Sequence, residues 1–276
     1  MVATASTALQ ALGVAGGYVA AVRAPGTLLA AAGGGLPRGR DDPWEILGTS
    51  AGALFSPVAL ARLGLLSLDP PGRAGDGTAA RSTAGGAALA VIQVGLIYLG
   101  PLMHAALREA RKGRGLAGAA RAGLQKVSAV AADPRRWRDY VVAPVSEELC
   151  FRGCLVPLLQ KNGACSPAAA GALAPVFFGA AHLHHATRLR REGGLTWRAA
   201  FTRVAFMFAY TTVFGWYACY LYIRTGGLAA PILAHALCNV LEVPDFAALA
   251  RDSQRGALAV TTAAGVAVFA GCLALP

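Results

Sequence analysis

The segment Ala200-Phe-Thr-Arg-Val-Ala-Phe-Met-Phe-Ala-Tyr-Thr-Thr-Val-Phe-Gly-Trp-Tyr-Ala-Cys-Tyr-Leu-Tyr222 is apolar over about the twenty residues a helix needs to cross a bilayer. Its aromatics, Phe206, Phe208, Tyr210, Phe214, Trp216, Tyr217 and Tyr220, recur at irregular spacing, which suits lipid- or core-facing packing. Seven weaker apolar segments lie outside it, near 5–22, 45–66, 84–103, 141–159, 167–183, 228–243 and 256–275. No fixed-period repeat appears, and no connector is long enough for a second domain. The expected fold is an all-α polytopic membrane helical bundle of about eight transmembrane helices, one domain over residues 1–276.

Composition agrees with that reading. Of 276 residues, 55% are hydrophobic and only 14% charged, against roughly a quarter charged in soluble domains. Mean hydropathy is +0.50. The net charge of +11 lies between the apolar runs rather than in one patch with interleaved aromatics, so no nucleic-acid partner is expected. The first twenty residues hold no basic stretch and read as a first span rather than a cleaved signal. Cys150, Cys154, Cys165, Cys219, Cys238 and Cys272 form no CxxC pair and read as small buried hydrophobes.

The basic residues order the connectors. Eighteen fall in the odd-numbered connectors, among them Arg108 through Arg138, and four in the even-numbered ones. Positive charge collects on the cytosolic side of membrane proteins, so the odd connectors are expected to face the cytosol. Trp137, beside Arg135, Arg136 and Arg138, suits an interfacial anchor.

Within this apolar background a few polar residues stand out. The fourth segment contains Ala143-Pro-Val-Ser-Glu-Glu-Leu-Cys-Phe-Arg152. Two carboxylates and an arginine inside a span are costly unless they pair or do chemistry. Glu148 and Arg152 are four apart, share a helix face and are expected to pair. Glu147 points about a hundred degrees away and is the candidate reactive carboxylate. The fifth segment ends at Phe178-Gly-Ala-Ala-His182, followed by Leu183, His184 and His185. In the seventh, His235 and Asn239 are four apart and project from one face.

Alternation of span direction puts Glu147, His182, His235 and Asn239 at similar depth toward the cytosolic side. Scattered structural residues have no reason to coincide in this way. Glu147 with His182 is expected to activate a water and return its proton to a leaving amine. His235 and Asn239 are then donors to the developing oxyanion. No nucleophilic Ser or Cys is needed.

These residues resemble the type II CAAX prenyl endopeptidases, the Ras-converting enzymes of the wider ABI family. The three motifs of that family match Glu147-Glu148 with Arg152, Phe178 with His182, and His235 with Asn239. Similarity to the eukaryotic branch adds Leu36-Pro-Arg38, Gly100-Pro-Leu-Met103, the stretch from Phe178 to His185, Phe214-Gly215 through Gly226, and Cys238-Asn239 with Pro244. It covers most of residues 36–250.

The resemblance implies removal of the last three residues from farnesylated or geranylgeranylated CAAX proteins such as Ras-like small GTPases. It implies an endoplasmic reticulum membrane, a site open to the cytosol and no cofactor. Glu147 and His182 would be catalytic, His235 and Asn239 would stabilise the transition state, and Glu148, Arg152 and Phe178 would support them. A prenyl chain partitions into the lipid bilayer, which gives an intramembrane site a physical reason.

Three rival readings have sequence features. A zinc protease would use His182, His184, His185, His235 and the glutamates, but these lack a recognised ligand spacing, and His-Glu-x-x-His is absent. Gly48-Thr-Ser50-Ala-Gly52 fits the pattern of a serine hydrolase, yet lies within an apolar segment and reads as a small-residue packing face. A non-enzymatic ABI-family scaffold has no need of the complete set of polar residues retained here.

Overall fold

A computed structural model of the chain describes residues 83–130, 132–160, 165–191 and 193–274, with residues 13, 14, 17, 18 and 20 near the start. Every regular element among the described residues is helical. They are α1 (Thr83–Ile97), α2 (Leu99–Arg111), α3 (Gly115–Ser128), the helical run α4 (134–160), α5 (Pro167–Ala181), α6 (His185–Arg191), α7 (Trp197–Thr225), α8 (Ala229–Leu241), α9 (Phe246–Arg251) and α10 (Arg255–Ala274). The segments near 5–22, for most of its length, and 45–66 lie outside the described residues, as do Leu36-Pro-Arg38 and Ser50.

Local chemistry sets the helix ends. Ser166 and Thr196 accept hydrogen bonds from the backbone N–H of Ala169 and Ala199, capping α5 and α7. Pro167 follows Ser166 at the first helical position, where its missing N–H costs nothing. At the other end of α7, Gly226 takes a left-handed conformation (φ 74°), which a residue with a Cβ resists.

By length and composition, α7 and α10 are long and apolar enough to cross a membrane, and α1 with α2 makes a third if they count as one bent span. The apolar segment near 84–103 runs through a break between α1 and α2, which are bent by 68°. Pro101 explains the bend: it has no N–H for the carbonyl of Ile97, and its ring crowds that turn. The segments near 167–183 and 228–243 form helices of 15 and 13 residues, shorter than a full crossing. The connector holding Arg108 through Arg138 contains α3, a helix with no buried residue and with Leu116, Leu124 and Val127 exposed.

Small residues let the helices meet closely. A side chain at Gly179 would run into Thr212 and the Phe208 carbonyl on α7, and one at Gly265 into the Leu96 carbonyl on α1. Apolar lipid gives helices little reason to associate except tight contact and interhelical hydrogen bonds, so such positions hold a membrane bundle together. One core gathers Phe151, Leu155, Phe178 and Tyr222. A second gathers Val94, Tyr98, Leu221, Ala234 and Cys238.

Candidate active site

Glu147 and Glu148 sit where α4 changes from an α turn (Ala143–Glu148) to a π turn (Leu149–Leu155). A π turn adds a residue to the helical circuit and redirects the side chains around it, and such turns recur at functional sites. Glu148 is fully buried. Arg152 Nη1 donates to its Oε1 at 3.1 Å, and Nη2 donates to the Gly215 carbonyl on α7 at 3.1 Å. The guanidinium carbon also stands 4.8 Å from the centre of the Phe178 ring. An ion pair this deep depends on further partners, and the carbonyl and the ring supply two of them, while Arg152 Nε has no hydrogen-bond partner among the described residues.

His235 on α8 joins this pair to Glu147. Its Nδ1 donates to Glu148 Oε1 at 2.8 Å. Its Nε2 lies 3.7 Å from Glu147 Oε2, and Glu147 itself is partly exposed. Glu148 thus serves two partners rather than Arg152 alone.

His182 closes α5. Its Nδ1–H donates to the Phe178 carbonyl one turn back at 2.9 Å, which fixes the ring and leaves the Nε2 lone pair available. Phe178 connects the two histidines, with ring centroids 5.0 Å from His182 and 6.1 Å from His235. Asn239, one turn after His235, donates from Nδ2 to the Asp139 carbonyl at 2.8 Å. An amide nitrogen carries two N–H groups, so a second remains for another acceptor. His184 and His185 stack on each other at 4.0 Å, beyond His182.

Glu147, Glu148, Arg152, Phe178 and His235 therefore form one contact network, His182 enters it through Phe178, and Asn239 is tied to the start of α4. Sequence reasoning did not include Tyr18, whose hydroxyl lies 3.0 Å from Ser146 Oγ and whose ring meets Phe151 edge-on at 5.7 Å. Ser146, a polar residue beside Glu147 in an apolar segment, was a usable signal. Gly215 and Asp139 act through backbone carbonyls and leave no signal at all. Among the described residues, no three His, Cys, Asp or Glu side chains are gathered as a metal-ligand set.

Residues 136–241 match the family model described as type II CAAX prenyl endopeptidase Rce1-like. The chain's similarity to that family is carried by this segment. The match begins at Arg136 and ends just after Asn239, so the whole network described above falls inside the Rce1-like segment. The chain is 41% identical over 135 residues to CAAX prenyl protease 2 of Homo sapiens, an alignment covering 49% of this chain and 40% of the human protein. It is 44% identical over 108 residues to the Arabidopsis thaliana protein of the same name, covering 39% of this chain and 34% of that one. A longer alignment, 28% identical over 177 residues, covers 63% of this chain and 49% of CAAX prenyl protease 2 of Rattus norvegicus. The chain thus spans less than half the length of each of these relatives. No solved structure matches it. The apolar helices and the Rce1-like segment together make it a membrane protein.

Proposed function

We propose that the chain is an intramembrane endopeptidase that removes the three C-terminal residues from prenylated CAAX proteins. One observation carries this reading: the Glu147 carboxylate, partly exposed, faces His235 Nε2 at 3.7 Å above a buried Glu148–Arg152 pair. The names of the relatives supply the substrate class, a prenylated CAAX protein.

In this reading Glu147 takes a proton from a water as the water attacks the scissile carbonyl, and His182 Nε2 accepts or relays that proton toward the leaving amine. Negative charge collecting on the carbonyl oxygen is met by His235 Nε2–H and the second N–H of Asn239. Because His235 Nδ1 already donates to Glu148, a donor at Nε2 requires the doubly protonated ring. Glu148 and Arg152 position His235 and do not touch the substrate.

The cleft faces the cytosol of an endoplasmic reticulum membrane in this account, where the farnesyl or geranylgeranyl chain of a Ras-like protein enters from the bilayer. The basic connectors support that orientation. Purified protein is expected to release a tripeptide from a farnesylated C-terminal CAAX peptide, detected by mass spectrometry, and to leave the peptide with a free cysteine intact. Absence of release, or equal release from both peptides, contradicts the proposal.

A further inference from the structure

We propose that a basic cleft formed by the last turns of α2, by α9 and by the turn that leads into α10 binds the phosphate of an anionic phospholipid headgroup. The cleft is shallow and open to the surroundings, has a volume of about 380 Å³ and is lined by His104, Arg108, Arg111, Arg251, Asp252 and Ser253, among others. Three guanidiniums thus meet a single carboxylate, although the residues that converge come from two parts of the chain about 140 positions apart.

That carboxylate is already committed. Asp252 accepts from Arg111 Nη1 and Nη2, both at 2.7 Å, and from the backbone N–H of Gln254 at 2.8 Å, while His104 Nε2 lies 3.3 Å away. Its side chain is only 4% exposed. Arg108 and Arg251 therefore line the same cleft as exposed side chains with no carboxylate partner among the described residues. Guanidiniums donate to phosphate oxygens through several N–H groups at once, and Arg111, locked by Asp252, adds a fixed positive charge beside Arg108 and Arg251.

Position favours a lipid over a free ion. The cleft opens where α10 begins its apolar run, and from there Val260, Val266 and Val268 are exposed. On α2, Leu99 and Leu102 are exposed as well. A headgroup phosphate in the cleft leaves its acyl chains against these outward apolar residues. Basic pockets between spans are established places for anionic headgroups in membrane proteins generally. Net positive charge on a connector explains arginines in this region, but not their convergence on one cleft around a saturated aspartate.

The test uses the full chain in nanodiscs of phosphatidylcholine with or without phosphatidylglycerol, read by native mass spectrometry and by thermal unfolding. Wild type is expected to retain one phosphatidylglycerol about tenfold in preference to phosphatidylcholine. Arg108→Gln with Arg251→Gln is expected to lose that preference while unfolding normally in phosphatidylcholine. Arg121→Gln with Arg190→Gln, which removes equal charge from exposed sites elsewhere, is expected to keep it. Equal loss in both pairs reduces the effect to general surface charge and overturns the proposal. Retained preference in the Arg108/Arg251 pair overturns it too. Inorganic phosphate added to phosphatidylcholine nanodiscs is expected to give little stabilisation. If it stabilises wild type as much as phosphatidylglycerol does, the site belongs to a free phosphate and the lipid assignment fails. Should the double variant not fold, Arg108→Gln and Arg251→Gln singly give the same reading, each with a partial loss of preference.

Discussion

His235 Nδ1 donates to Glu148 Oε1 at 2.8 Å across 87 positions of sequence, which makes Glu148 the shared anchor of a histidine on one helix and an arginine on its own. Removing the Glu148 side chain would leave the Arg152 charge buried with only the Gly215 carbonyl and the Phe178 ring. Glu148→Ala is expected to lower stability by about 3–5 kcal/mol, the usual consequence of stranding one member of a buried pair. Glu148→Gln keeps an acceptor for His235, so it is expected to fold better than the alanine variant but to cleave more slowly than wild type. Thermal unfolding in detergent and peptide cleavage rates separate the two effects.

Asn239 has one N–H engaged by the Asp139 carbonyl and one available. If the available one meets the oxyanion, Asn239→Ala lowers kcat by about 100- to 1,000-fold with little change in KM. A rise in KM with unchanged kcat would instead make Asn239 a binding residue.

Gly215 is held to its size by two neighbours. A Cβ there would lie 2.7 Å from Pro175 Cβ and 3.1 Å from Arg152 Nη2. Gly215→Ala is expected to cost about 1–3 kcal/mol, the range for overfilling a packed interior. Gly271→Ala, inside α10 with nothing within 4 Å of the added carbon, is expected to keep or slightly raise the unfolding temperature.

The Asp252 carboxyl is held well below its ordinary value of 3.8, first by hydrogen bonds from Arg111 and then by the Gln254 backbone N–H. A lowered folded-state pKa contributes stability that is present above the ordinary value and is lost as pH falls through the folded one. The tie between α2 and the α9–α10 turn is therefore expected to be at full strength at neutral pH and to weaken only in strong acid. Glu109, lowered to about 2 by Arg114 and Lys112, works in the same direction. Comparing the unfolding temperature against pH for wild type and Asp252→Asn isolates the Asp252 contribution: the variant is expected to be less stable near pH 7, with the gap closing below about pH 4.

Much of this arrangement is written in local sequence. The apolar segments 200–222 and 256–275 appear as α7 and α10 with ends displaced by only a few residues. The spacing of Glu148 and Arg152 fixes their contact, because residues four apart on a helix are neighbours. Pro101 carried the information for the bend between α1 and α2, but apolar length alone reads straight through it. The Glu148–His235 bond depends on how α4 and α8 pack, and no local pattern encodes that. Asp139 and Gly215 contribute carbonyl oxygens, which every residue has, so their identity reveals nothing of the role. Tyr18 reaches Ser146 across 128 positions and is equally silent.

The most direct test of the central claim is the cleavage rate of a farnesylated CAAX peptide by purified wild type, Glu147→Ala and His182→Ala, each shown to be folded. The account predicts a fall of about 100- to 10,000-fold in both variants, the range for losing a general acid–base group. Full activity in either variant would contradict it.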